Sequence, residues 1–380
     1  MPFNSKLPDV GTTIFTVMSK LAADHQAINL SQGYPDFDAP AELIELVGAY
    51  MRRGLNQYAP MQGVPALRMR IAEKVKALYG AGIDPDAQIT ITAGATEALY
   101  AAITAVVRPG DEVIVVEPAY DSYVPAVQLS GGVPVYVPMS FPDYRVDWGK
   151  VRDALSGRTR LIVLNSPHNP TGMVLEAADM SALQENVAGR EIFILSDEVY
   201  EHIIFDDRSH QSMLRYPALA NRSFVVSSFG KTYHTTGWKI GYCVAPAELT
   251  VEFRKIHQFL TFTANTPIQM AYADYMRHAD HYLNLSHFYQ RKRDLFLDLM
   301  KGSRFKPLPC AGTYFQMMDY AQISDEPDVD FASRLTRAHG VAAIPPSVFY
   351  HDRTDRRVVR FCFAKQDQTL IQAAERLCRV

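Results

Sequence analysis

The hydrophobic positions of this chain fall into short, nearly unbroken apolar runs that alternate with longer stretches of helical periodicity. Ile89–Thr92, Glu112–Val116, Val133–Val137, Leu161–Leu164, Ile192–Leu195 and Phe224–Ser227 are bounded by turn residues, and each predicts a strand. Between them, Ala95–Val107 predicts a buried helix and Glu176–Val187 an Ala-rich one. Strands apolar on both faces and separated by helices predict a mainly parallel sheet covered on both sides, an α/β architecture. The polar turns NSPHNPTG, SDEVY and SSFGK each follow directly after a predicted strand. Open α/β sheets bind ligands at the carboxyl ends of their strands, so these turns are expected to converge on one site.

After about Asp280 the pattern changes. A charged helix containing Gln290, Arg291, Lys292 and Arg293 leads to a strand at Thr313–Met317 and a helix at Phe331–Ala338. Strands Val341–Ile344 and Val358–Phe363 and a final helix, Leu370–Cys378, follow. The expected organisation is an N-terminal arm (residues 1–40) packed beside a small domain, a large α/β domain (41–280) and a smaller α+β domain (281–380). A chain of 380 residues suits two cores better than one.

Composition narrows the function classes. A net charge of −3 offers no basic field for nucleic acid or an anionic membrane. Cys243, Cys310, Cys362 and Cys378 are widely spaced and form no C-x-x-C pair, which argues against a disulfide framework or a zinc site. Ala98–Val107, the longest uncharged helical stretch, is bounded by Glu97 and Arg108 and falls well short of the ~20 apolar residues of a membrane span. Met1–Val10 lacks the apolar core of a signal peptide. A cytoplasmic protein is expected.

Four segments carry candidate chemistry. Lys231 closes SSFGK; its G-K-T ending imitates a P-loop, but that motif needs glycine where Val225 stands. The lysine is either a solvated turn residue or a nucleophile toward an aldehyde cofactor, the latter requiring a lowered pKa. Asp197, at the end of its strand, is a turn acid or a carboxylate facing a pyridinium nitrogen, with Tyr200 one turn further on. Glu198 and His202 lie close by, but no metal-ligand spacing joins them to Asp197. Asn169 sits in a loop stiffened by Pro167 and Pro170, suited to holding an amide in fixed orientation. Thr92–Glu97 joins a strand to a helix N-terminus through small residues, where backbone N–H groups can approach a phosphate. Tyr120 is an aromatic able to stack on a flat ring, or simply a packing residue.

Taken together and in order, these segments resemble the fold-type I class I/II aminotransferases, which depend on pyridoxal 5′-phosphate. Within them the chain is most similar to the methionine and kynurenine (glutamine) group. The resemblance runs through GTTIF (Gly11–Phe15), LSQGYPDF (Leu30–Phe37), NQYAP (Asn56–Pro60), TAGATEAL (Thr92–Leu99), EPAYDSY (Glu117–Tyr123), SPHNPTG, SDEVYEH, SSFGKTYHTTGWKIGY and VRFCFAK (Val359–Lys365). It implies that Lys231 carries the cofactor as an imine and that Asp197 pairs with the ring nitrogen. Tyr200 and Asn169 would bond the ring oxygen, and Tyr120 would stack on the ring. Ala95, Thr96, Ser228 and Lys239 would hold the phosphate, with Tyr58 reaching in from the second subunit of a homodimer. Gly33 and Arg360 would bind the substrate α-carboxylate; without the resemblance, Arg360 is an edge-strand surface charge. Lys239 departs from the arginine of many relatives. No second arginine for a side-chain carboxylate is evident, and Phe15, Tyr34 and Phe349 suggest an apolar wall or simply core packing. The implied substrates are apolar or aromatic amino acids and a 2-oxo acid, with a cysteine-conjugate β-lyase on the same fold as the alternative. A PLP-binding transcription regulator would need an extra DNA-binding module, and neither extra length nor a basic N-terminal segment points to one here.

Overall fold

Branched side chains suit strands buried on both faces, and here they alternate between two separate cores. The computed structural model describes residues 4–380. Its strands in chain order are β1 (Ile28–Asn29), β2 (Ile89–Thr92), β3 (Glu112–Glu117), β4 (Val133–Pro138), β5 (Thr159–Asn165), β6 (Phe193–Asp197), β7 (Ser223–Ser228), β8 (Gly241–Val244), β9 (Lys306–Pro307), β10 (Phe315–Asp319), β11 (Val341–Ala342) and β12 (Val358–Cys362). Seven of them form one sheet in the order β2-β8-β7-β6-β5-β3-β4. Along β3, Ile114 and Val116 enter one core while Val113 and Val115 enter the other; Ile162 and Leu164 against Leu161 and Val163 do the same on β5. This period of two places a packed layer on each face of the sheet. The architecture is the α/β one expected.

Neighbours β4, β3, β5, β6 and β7 are mutually parallel. Strand β8, which the hydrophobic pattern did not reveal, runs antiparallel to both β2 and β7. Registers Asn165↔Asp197 and Asp197↔Val226 bring the carboxyl ends of β5, β6 and β7 to one edge. The NSPHNPTG, SDEVY and SSFGK turns leave from that edge.

The C-terminal third forms a second, antiparallel sheet, β12-β10-β9, with Met317 opposite Arg360. Strand β1 pairs in parallel with β11, and Cys362 N–H donates to the Leu30 carbonyl at 2.8 Å, so residues 28–34 lie against this sheet. The expected arm includes residues 1–3, which lie outside the described residues. The strand expected at Thr313–Met317 begins two residues later, because Thr313 has a φ of 65° and cannot continue a ladder. The strand expected at Val341–Ile344 stops at Ala342 apart from an isolated Ile344–Arg360 bridge, since Pro345 and Pro346 follow without backbone donors.

One buried network braces the site from below. Lys74 Nζ lies 2.6 Å from both Glu201 Oε1 and the Tyr242 hydroxyl. Ser227 Oγ donates to the same carboxylate at 2.6 Å, and Tyr79 donates to its other oxygen. Burial pushes the Glu201 carboxyl up, but Lys74, His202 and Ser227 more than reverse this and hold it below the ordinary range. The end of β7 is thereby fixed one residue before Ser228. Among the described residues no helix is long and apolar enough to cross a membrane, and all four cysteines are free.

Candidate active site

At the carboxyl edge of the large sheet, facing β10 and β12, lies a cavity of about 330 Å³, within the usual range for small-molecule sites. Every site residue expected from the sequence lines it except Tyr58 and Phe349. Tyr58 stands outside, 82% exposed, edge-on to Phe262. Phe349 is buried behind the wall, its ring 5.9 Å from that of Phe15, so it supports the lining instead of forming it.

Lys231 follows β7 in a short helical turn, Phe229–Thr232. Its Nζ donates to the Gly33 carbonyl at 3.1 Å and to the Tyr314 hydroxyl at 3.0 Å. Burial pushes this ammonium down to about 8; Arg360 and Lys239 act in the same direction, while Cys362 and Asp197 oppose it. A lysine near 8 is substantially neutral at mildly alkaline pH, so it can attack a carbonyl carbon and can also take up a proton.

Asp197, the last residue of β6, is 4% exposed and is pushed up to about 6 by burial. Its partners, which moderate that rise, are the Tyr123 hydroxyl at 2.7 Å and the Val199 N–H at 3.3 Å. A buried carboxylate bonded only to neutral donors and facing a cavity is a site for a cationic nitrogen. Tyr200 lies fully buried beside it, its ring edge-on to Tyr314 at 5.2 Å.

Arg360 is expected from sequence alone to be exposed, and β12 is indeed an edge strand. The structure buries it completely. Its guanidinium lies 3.8 Å above the Phe315 ring and donates to Asn169 Oδ1 at 2.7 Å and to the Ser31 carbonyl at 2.9 Å. Burial pushes it down to about 10, and its Nε has no partner although it is fully enclosed. An arginine held this way retains a free donor for an anion. Because Oδ1 of Asn169 is taken by Arg360, the amide nitrogen is left as that residue's donor, as the stiff loop suggested.

The helix Ala95–Val106 begins after Gly94, whose φ of 83° favours glycine. Lys239 packs against this turn: a side chain at position 94 would meet its Nζ at 3.2 Å. Ala95, Thr96, Ser228 and Lys239 line the cavity together, and a helix start beside an ammonium is an arrangement able to hold a phosphate. Tyr120 lines the cavity beside Thr96. Gly33 is required sterically, since a Cβ there would lie 2.8 Å from the Phe315 ring. The side chains that sequence reasoning missed are Tyr123, Tyr314, Phe315 and Thr236; EPAYDSY contained the first, but nothing local ties Tyr123 to a carboxylate 74 residues away.

The chain is similar to known aminotransferases over nearly its whole length. The sequence profile described as Aminotransferase class I and II matches residues 25–377. A methionine aminotransferase of Escherichia coli (strain K12) is 56% identical over 98% of this chain and 97% of its own. A solved Escherichia coli structure identified with a methionine aminotransferase function superposes with a TM-score of 0.98, at 55% identity and covering 100% of both chains. The N-succinyldiaminopimelate aminotransferase of Mycobacterium tuberculosis superposes at 0.96, with 37% identity and 100% of both chains covered.

The position of Lys231 sets a testable pH dependence. With its folded pKa lowered, the lysine loses its proton on passing pH 8 instead of about 10.4. In protein freed of cofactor, trace acetylation of Lys231, read by mass spectrometry, should rise with a midpoint near pH 8, against about 10.4 for an ordinary exposed lysine. A midpoint above 10 contradicts the assignment.

Proposed function

This chain belongs to the class I and II aminotransferases, and we propose that it transfers the amino group of methionine and of other apolar or aromatic amino acids. It is an amino acid aminotransferase of fold type I, its substrates are an amino acid and a 2-oxo acid, and its cofactor is pyridoxal 5′-phosphate. The residues present fit that cofactor: a buried acid without a cationic partner, a lysine bonded only to neutral oxygens, and a helix start beside a second lysine lie around one cavity. When bound, the cofactor supplies an aldehyde carbon and an electron-accepting ring.

In this reading Lys231 would hold the cofactor, and its Nζ, when free, would take the substrate α-proton. Asp197, oriented by Tyr123, keeps a proton on the ring nitrogen. Asn169 through its amide nitrogen, and Tyr200 through its hydroxyl, would bond the ring oxygen, and Tyr120 would pack against the ring. Ala95, Thr96, Ser228 and Lys239 hold the phosphate. Arg360 and Gly33 hold the substrate α-carboxylate. A 2-oxo acid then receives the amino group in the second half-reaction. The observation that carries this reading is Lys231, Asp197 and Arg360 lining one cavity on three different elements.

The substrate class follows from charge and from the relatives. Arg360 is the sole arginine lining the cavity among the described residues, and Phe15, Tyr34 and Phe315 supply aromatic wall. With Arg360 committed to the α-carboxylate, a second carboxylate would be desolvated without a matched partner, which costs several kcal/mol. A thioether or aromatic ring gains ~25 cal/mol per Å² buried on the same wall. The similarity to an E. coli methionine aminotransferase supports the same class.

The site is completed by a second copy of the chain. Tyr58, Phe259 and Phe262 are exposed aromatics at 82%, 84% and 43%, and such a cluster is unusual on a lone subunit. Tyr58 from the second copy reaches the phosphate in a homodimer.

Two measurements follow. With one common 2-oxo acid, kcat/KM for methionine and phenylalanine should exceed that for aspartate by about one to three decades; aspartate ranking first would overturn the substrate class. Mixing Lys231→Ala subunits with Tyr58→Phe subunits should regenerate some sites carrying neither defect, and activity should recover. A fully active monomer in sedimentation would end the shared-site proposal.

A further inference from the structure

Tyr314 is not among the residues that the sequence motifs single out, yet it touches the reacting lysine. Its hydroxyl donates to the Gly33 carbonyl at 2.6 Å, and Lys231 Nζ donates to both of these oxygens, at 3.0 Å and 3.1 Å. The three groups form a closed triangle. Because the Tyr314 proton is committed to Gly33, its oxygen presents a lone pair toward Lys231 and can act only as an acceptor there. The ring cannot shift to release it. Tyr314 is 1% exposed, edge-on to Tyr200 at 5.2 Å and packed against Tyr289 at 5.6 Å. The Lys231 ammonium position also lies 5.6 Å from the centroids of both the Tyr200 and Tyr314 rings, so the amine is flanked by their faces as well.

We propose that Tyr314 is a positioning residue for the free Lys231 amine, its hydroxyl and the Gly33 carbonyl holding Nζ at the cavity floor while the lysine serves as proton acceptor. This rests on the reading of Lys231 as the cofactor lysine. When Nζ takes up the α-proton, its positive charge meets two fixed oxygen acceptors, and the flexible four-carbon stem is kept from sampling other rotamers. Gly33 is also assigned to the substrate carboxylate, so the triangle links the segment that receives substrate to the group that deprotonates it. Tyr314 does not line the cavity and acts through Lys231.

Tyr314→Phe removes one oxygen and leaves the ring in its slot. In cofactor-free protein, loss of an acceptor disfavours the charged amine, so the acetylation midpoint of Lys231 should fall by at least about half a unit relative to wild type. In the holoenzyme, kcat for methionine should drop about tenfold while KM stays within about twofold. The primary isotope effect with α-deuterated methionine should rise, because proton removal becomes the slower step. Circular dichroism checks the fold. If the variant does not fold, 3-fluorotyrosine at position 314 keeps the packing, weakens the acceptor and should move the midpoint in the same direction by less. An unchanged midpoint together with an unchanged isotope effect in folded protein overturns the proposal. Failure of the underlying reading is separate: it appears with Tyr314 left intact, as methionine transfer that survives Lys231→Ala.

Discussion

Charge held out of water is the constraint around which this molecule is arranged. Arg360 has no exposed surface, Asp197 almost none, and both are joined by Lys231 in one cavity. Isolated charges in such a place would cost several kcal/mol each, so every one of them has partners that fix its direction. The Asn169 and Ser31 oxygens aim Arg360, the Tyr123 hydroxyl aims Asp197, and Tyr314 with Gly33 aims Lys231. The same burial that demands partners also brings Lys231 down to about 8 and Asp197 up to about 6, where proton exchange becomes accessible. Stability and chemistry thus draw on one set of contacts.

The parallel sheet makes that concentration possible. Strands β5, β6 and β7 end together, so residues separated by dozens of positions in sequence arrive at one edge. Beneath them, the Lys74–Glu201 pair with Tyr242 and Ser227 is itself an enclosed ionic network, with both charged side chains 4% exposed. Its place directly under the end of β7 ties the large sheet's core to the turn that carries Lys231.

Much of this was legible in the sequence because the signals are local. Near-continuous apolar runs located β2, β3, β5, β6 and β7 to within a few residues, and the polar turns after them marked the cavity. Strand β8 was missed because Gly241–Val244 is four residues long and runs on from a polar turn without a boundary signal. Arg360 shows the deeper limit. Nothing beside it in β12 indicates that Phe15 and Phe315, from distant segments, will seal it from water. Tyr123 and Tyr314 escaped for the same reason: their hydroxyls act on groups 74 and 83 residues away, and a buried tyrosine is indistinguishable in sequence from a packing one. Resemblance to a family recovered Arg360, whereas the positioning tyrosines required the structure.

Every role proposed for this cavity depends on Lys231 being the residue joined to the cofactor. Reduction of the loaded enzyme with borohydride, followed by proteolysis and mass spectrometry, tests it directly. The mass of the reduced pyridoxal phosphate adduct is predicted on the peptide containing Lys231 and on no other lysine. Recovery of that adduct on Lys239, or on any residue outside the Phe229–Thr232 turn, would contradict the central claim.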